Sequence, residues 1–330
     1  MVAQVDFRYI KVRPTKLASR LVSYALFEGR PVTTRGQWIN PLLFAHFAFE
    51  KSMPQLKRVE KPVFILGTGR SGTTILGIVL SMHRDVGFLN EPKAMWHAIY
   101  PDEDVIGSYS RGVAHYRLVA GAASDVVKQN AHRLFGAYLA AVFSKRLVDK
   151  YPELVFRVPF VRQIFPDAQF IFLVRNGWDT CASIDKWSTR CGEQKNGEVH
   201  DWWGVDRRKW QLMLTELIES DPYFDGIKEA AFSFDRHTDM AALEWVVTMR
   251  EGMRRMRENG GAILMVRYED LVETPRKTLS EIAAFAGFSE DETYLRYGES
   301  TLRPTPRHKE FDMHPVLRVL FDETMQALSY

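Results

Sequence analysis

Cysteine is scarce: Cys181 and Cys191 are the only two in 330 residues. A scaffold built on disulfides is excluded on that count. No Asn-x-Ser/Thr acceptor site occurs. The longest apolar stretch near the start, Pro41 to Phe49, falls far short of the ~20 residues that span a bilayer. Met1-Val-Ala-Gln-Val-Asp-Phe7 lacks the basic-then-apolar plan of a leader peptide. Excess charge is missing too, since 44 Lys and Arg stand against 41 acidic residues, a net +3. Nucleic-acid binders usually carry a strong basic excess. Nucleic acid is therefore not an expected partner, and an anionic ligand must be held by a few placed cations. The nine histidines are scattered without metal-ligand spacing, so no metal is expected. Together these absences predict a chain of a reducing, cytoplasmic compartment without a membrane span.

What is present has the composition of an ordinary globular protein, long enough for one large domain or two small ones. Residues 1–60 read as an N-terminal helical extension. Leu17 to Phe27 and Leu42 to Phe49 carry apolar residues at helical spacing, with Pro31 and Pro41 as breaks. The basic stretch 51–61 reads as a linker into a domain spanning 61–330. Val63-Phe-Ile-Leu66 is a short β-rich run, followed by a Gly-rich turn and a helix-like segment from Ile75 to Met82. A second run, Phe170 to Val174, leads into Arg175 and a helix from Asp179. A third, Ala262 to Val266, leads into Arg267 and a helix over 273–288. Stretches 121–150 and 241–258 show helical periodicity. Apolar strands without alternation, separated by helices, predict an α/β fold with a central parallel sheet flanked by helices. Residues 188–240 hold Trp202, Trp203 and Trp210, many charges and little regular pattern. They read as an insertion on the acceptor side of a site.

The Gly-rich turn is Gly67-Thr-Gly-Arg-Ser-Gly-Thr-Thr74. A strand feeding such a turn and a helix is an anion site, because the helix N-terminus presents unpaired N–H groups and the positive end of its dipole. Gly67 and Gly72 match the glycines of G-x-x-x-x-G-K-[ST]. Position 73 is Thr, where a nucleotide hydrolase needs Lys. The cation sits inside the loop instead, at Arg70, where it can contact a bridging oxygen and a transferring group.

That loop resembles the 5'-phosphosulfate loop of sulfotransferases that use 3'-phosphoadenosine-5'-phosphosulfate (PAPS). Arg and Ser before Gly-Thr-Thr make it similar to the tyrosylprotein and many bacterial members. Phe165-Pro-Asp-Ala-Gln-Phe-Ile-Phe-Leu-Val-Arg-Asn-Gly-Trp-Asp-Thr-Cys-Ala-Ser183 resembles the family's 3'-phosphate segment. Val266-Arg-Tyr-Glu-Asp-Leu271 resembles its third signature. The resemblance covers roughly 61–290, with 188–240 unmatched. It implies the P-loop-like sulfotransferase fold and PAPS as co-substrate. Arg70, Ser71, Gly72, Thr73 and Thr74 would hold the 5'-phosphosulfate. Arg175 and Ser183 would hold the 3'-phosphate, and Tyr268 would lie by the adenosine. Asn176 stands where the family usually has Asp.

Sulfonyl transfer needs a fixed donor, a base for the acceptor, and cations for the charge on the transferring oxygens. Glu91, in Gly87-Phe-Leu-Asn-Glu-Pro92, follows the loop's helix. The next strand end returns the chain to the same edge of the sheet. The resemblance implies a catalytic Glu here, and as a base it would work best with its pKa raised toward neutrality by burial. Arg157, before Val158-Pro159, is the expected second catalytic cation beside Arg70. Arg307 and Lys309, with Arg303 and His308, form a basic C-terminal loop that the resemblance places over the 3'-phosphate. Trp202, Trp203 and Trp210 are candidate walls of an acceptor pocket. Cys181 reads as a packing residue. The expected activity is in-line sulfonate transfer to a hydroxyl or amine of a small-molecule, lipid or carbohydrate acceptor. The alternatives are a kinase-like phosphotransferase of the same loop class and a non-catalytic nucleotide-binding protein.

Overall fold

The computed structural model describes residues 5–31, 36–195 and 197–330. Residues Met1 to Gln4, part of the stretch read for a leader, lie outside the described residues, as do 32–35 of the N-terminal segment. Five parallel strands form the main sheet: β1 (Val63–Gly67), β2 (Val86–Asn90), β3 (Arg146–Lys150), β4 (Gln169–Val174) and β5 (Ile263–Arg267). Their spatial order is β2-β3-β1-β4-β5. All five residues of β1 are buried, as expected of a strand covered on both faces. One face is covered by the helix Thr73–Ser81. The other is covered by helices including Asp125–Ala141 and His237–Glu258. Chain order reverses at β1, whose neighbours are β3 and β4. In open parallel sheets the crevice at such a reversal, beyond the carboxyl ends of the strands, is where ligands bind.

Strand β3 departs from the sequence reading, which ran helix through 121–150. The helix stops at Ala141, and Phe143 turns the chain at φ 52°. Arg146-Leu-Val-Asp-Lys150 then pairs between β1 and β2. Its two charged residues near the end mimic an amphipathic helix. Both are buried: Asp149 accepts from Trp96 Nε1 at 2.8 Å, and Lys150 reaches the strand ends.

The N-terminal helices Phe7–Val12, Pro14–Leu26 and Asn40–Ser52 are not an appendage. Phe27, Leu43 and Phe47 belong to the same core as Phe64 and Leu66 of β1. Arg13 makes a two-pronged pair with Asp291 at 2.7 and 2.8 Å, tying this segment to the C-terminal third. Residues 188–240 are more regular than expected. They hold a small antiparallel sheet (Glu193–Lys195, Glu198–Asp201, Gly204–Val205) and the helix Arg208–Met213, which runs into a π turn at Leu214–Ile218. Among the described residues no helix is long and apolar enough to cross a membrane.

Candidate active site

The carboxyl ends of β1, β2, β3 and β4 open onto a cavity of about 700 Å³. The Gly-rich turn forms one wall. Gly72 sits at φ 99°, and a side chain there would meet the Tyr268 ring at 2.4 Å. A Cβ on Gly69 would lie 2.4 Å from the Trp202 ring, so the insertion presses directly on the loop. Ser71 is buried and donates its hydroxyl to the Thr68 carbonyl at 2.6 Å, which fixes the turn. Arg70 is held at φ 68°, a left-handed conformation that costs energy for a residue with a Cβ. Its Nε donates to Ser183 Oγ at 3.2 Å. Gly72, Thr73 and Thr74 complete this side of the cavity.

Arg175 follows the end of β4. Its Nη1 donates to the Arg70 carbonyl at 3.1 Å and its Nη2 to Thr305 Oγ1 at 3.1 Å. The guanidinium lies 4.5 Å over the Tyr268 ring. Its Nε is buried with no hydrogen-bond partner among the described residues. Burial, then the charges of Arg190 and Arg175, pulls the Arg70 guanidinium below its ordinary value. Neither Arg70 nor Arg175 has a carboxylate partner among the described residues. Two arginines so placed beside a helix N-terminus form an anion receptor. Asn176 caps the helix Gly177–Cys191, accepting from Trp178 N at 3.0 Å and Asp179 N at 3.4 Å. Cys181 is fully buried on that helix.

Glu91 directly follows β2, at the same strand-end level, and is held at φ 49°. Its amide donates to the Lys150 carbonyl at 2.7 Å. Its carboxylate forms an ion pair with the Lys150 ammonium, and Lys93 lies 3.4 Å away. The raised pKa that would best suit a base is not what the geometry gives. Burial pushes the carboxyl up, but Lys150 and Lys93 outweigh it and hold Glu91 below its ordinary value. Beyond it runs a chain of alternating charge. Lys93 and Lys209 lie 3.4 and 3.6 Å from Glu153, and Lys209 lies 2.6 Å from Glu244. The two lysines bring Glu153 down to about 2 against the opposing effect of burial. Glu244 accepts from Trp202 Nε1 and Trp203 Nε1, each at 2.9 Å. The chain thus links the strand ends to the tryptophan on the loop.

Arg157 is a correction. It lies at the end of a 3-10 helix (Pro152–Arg157), 1% exposed, and does not line the cavity. It donates to Glu103 Oε2 at 2.7 Å and to the carbonyls of Glu103, His115 and Tyr116. These bonds use the guanidinium as a staple for the 103–116 segment. Lys150, rather than Arg157, lines the cavity. A signal for it existed, since a Lys ending a parallel strand points to the ligand edge, but the strand was hidden. Arg307 and Lys309 are exposed and do not line the cavity either. Their segment passes close by, with Thr305 on Arg175 and His308 on Asp179 at 2.6 Å through its amide. Tyr268 lies beneath Arg175 rather than in the cavity wall. Trp203 and Trp210 are core residues, while Trp202 and Trp187 line the cavity. Tyr24, Glu28, Gly29, Arg30 and Pro31, from the N-terminal segment, form a further wall.

Residues 62–222 match the model described as the sulfotransferase family. Nodulation protein NoeE of Sinorhizobium fredii is 25% identical over 240 residues, covering 68% of this chain and 49% of that protein. A protein-tyrosine sulfotransferase of Drosophila melanogaster is 26% identical over 186 residues, covering 54% of this chain and 34% of its own length. The chain thus spans half or less of the length of these relatives. A solved sulfotransferase from Mycobacterium tuberculosis superposes with a TM-score of 0.47 at 15% identity, covering 90% of this chain and 88% of that one. Residues 62–222 of this chain are thus similar to the sulfotransferase family.

Proposed function

We propose that this protein transfers a sulfonate group from PAPS to a hydroxyl or amine of a small-molecule, lipid or carbohydrate acceptor. One observation carries the reading. Arg70 and Arg175, both without carboxylate partners among the described residues, line one cavity with the first residues of the helix Thr73–Ser81 and the Glu91–Lys150 pair. An anionic donor suits this cradle, because the buried Arg175 Nε otherwise lacks an acceptor. The donor supplies an activated sulfonate on a phosphate leaving group. Arg70 and the backbone of Ser71, Gly72, Thr73 and Thr74 would hold its 5' end, and Arg175 with Ser183 its 3'-phosphate.

Glu91 would accept the acceptor's proton. Its depressed pKa keeps it ionised at neutral pH. An anion drawing Lys150 toward itself would remove the cation that weakens Glu91 as a base, and the carboxylate would become more basic when needed. Lys150 would neutralise charge on the transferring oxygens, a role in which placed cations commonly supply a large share of catalysis. A kinase-like reading is disfavoured by Thr73 in place of Lys and by arginines after β4 and at the end of β5.

Calorimetry with 3'-phosphoadenosine 5'-phosphate, the desulfonated product, tests the donor site without metal. Micromolar binding is expected, weakened roughly 10–100-fold in Arg175→Ala, for loss of charge-assisted bonds worth about 1.5–3 kcal/mol. Magnesium-dependent ATP binding in its place would overturn the reading.

A further inference from the structure

Charge around the cavity is almost completely paired. Four carboxylates line it, and each has a cation. Arg20 bonds Glu28 at 2.7 Å, Lys150 pairs with Glu91, Lys93 and Lys209 flank Glu153, and Arg207 lies 3.2 Å from Asp201. Three lining arginines have no carboxylate partner among the described residues: Arg70, Arg175 and Arg30. The first two form the proposed donor site. Arg30 is left over.

Arg30 is only 7% exposed. Its Nη1 donates to the carbonyls of Tyr24 at 2.9 Å and Gly29 at 2.7 Å, and its guanidinium stacks 3.7 Å from the centre of the Tyr24 ring. These contacts aim the head group without neutralising it. An uncompensated buried charge is costly, and a bound anion is the usual compensation.

The placement points to the acceptor rather than the donor. Glu28 Oε1 accepts from Asn90 N at 2.9 Å, the residue before Glu91. A Cβ on Gly29 would lie 2.3 Å from the Ala94 Cβ, at the start of the helix after Glu91. The 28–30 segment is therefore clamped against both sides of Glu91. Arg30 enters the cavity from that side, whereas Arg70 and Arg175 enter from the loop and β4.

We propose that Arg30 is an acceptor-specificity residue: the acceptor carries an anionic group, a carboxylate or phosphate, that pairs with Arg30 while its hydroxyl or amine faces Glu91. This rests on the sulfonate-transfer reading above. It adds that the substrate is an anion before it is sulfonated.

The test uses the full chain saturated with 3'-phosphoadenosine 5'-phosphate. Matched hydroxylated probes are titrated by calorimetry: glucose 6-phosphate and glucuronate against glucose, and 4-hydroxybenzoate against 4-hydroxybenzamide. At least one anionic member should bind ten-fold or more tighter than its neutral partner. The winning member tells carboxylate from phosphate. Arg30→Gln should abolish the gap, Arg30→Lys should keep part of it, and both should leave product-nucleotide affinity within two-fold of wild type. No gap in any pair, or a gap that survives in a folded Arg30→Gln, overturns the proposal. A ten-fold loss of nucleotide affinity in Arg30→Gln would also overturn it, by assigning Arg30 to the donor, and would leave the sulfonate reading standing. Failure of the wild type to bind the nucleotide would sink that reading first and the inference with it.

Discussion

Lys150 and Glu91 meet as an ion pair across the carboxyl ends of neighbouring parallel strands, 59 residues apart in the chain. The register Asn90↔Lys150 places the two side by side. Strand pairing thus sets the proposed base beside its cation. That arrangement makes the base testable by itself. Glu91→Gln keeps the shape and removes the proton acceptor. Turnover should fall roughly 10²–10⁴-fold, the usual worth of a positioned base, while calorimetric affinity for the product nucleotide stays near wild type. Unchanged turnover would remove Glu91 from the mechanism.

Lys150 would set the pH at which the proposed base, Glu91, works. In the wild type the carboxyl is held below its ordinary value, so the acid limb of kcat/KM is expected below that of an ordinary carboxylate. Lys150→Met removes the largest opposing charge and leaves burial opposed only by the weaker effect of Lys93, so the pKa rises. The acid limb of kcat/KM should therefore move to higher pH, with a lower plateau. A limb that stays where it was would show that Lys150 does not govern Glu91.

Arg157→Met should behave as a stability variant. The substitution leaves Glu103 buried without its cation and frees three backbone carbonyls. Breaking such a pair costs about 3–5 kcal/mol, read as a fall in denaturant midpoint. The folded fraction should still bind the product nucleotide, since Arg157 does not reach the cavity. A catalytic loss at normal stability would restore the role first expected of it.

Gly69→Ala probes the contact between loop and insertion. The added methyl meets the Trp202 ring at 2.4 Å, so the ring must shift or the loop must open. Overpacking of this kind costs about 1–3 kcal/mol. The shift should appear as a change in tryptophan emission together with weaker nucleotide binding. A variant identical to wild type in both would mean that Trp202 does not brace the loop.

The juxtaposition of Arg70, Arg175 and Ser183, the proposed donor half, was legible in the sequence because it is local. Gly67 to Thr74 follows a strand and opens a helix, and Arg175 and Ser183 share one strand–helix unit. Backbone geometry within a few residues puts their groups where an anion binds, and the spacing records that geometry. Glu91 was legible for the same reason, as the next strand end in a parallel unit.

Lys150 was not legible, because its strand carries Asp149 and Lys150 in a pattern that also suits a helix. What makes it a strand is pairing on both sides with β1 and β2, which no local window contains. Arg157 was misplaced because a cation before Val158-Pro159 looks alike whether it faces ligand or core. Only Glu103, 54 residues earlier, decides that it is a staple. The paired charges around the cavity and the unmatched Arg30 are a matter of tertiary structure entirely. The sequence by itself determined the phosphate loop, the parallel architecture and the candidate base, all products of short-range backbone geometry. Which cations face the cavity, and which are consumed by buried partners, was decided only when distant segments packed and desolvated their charges together.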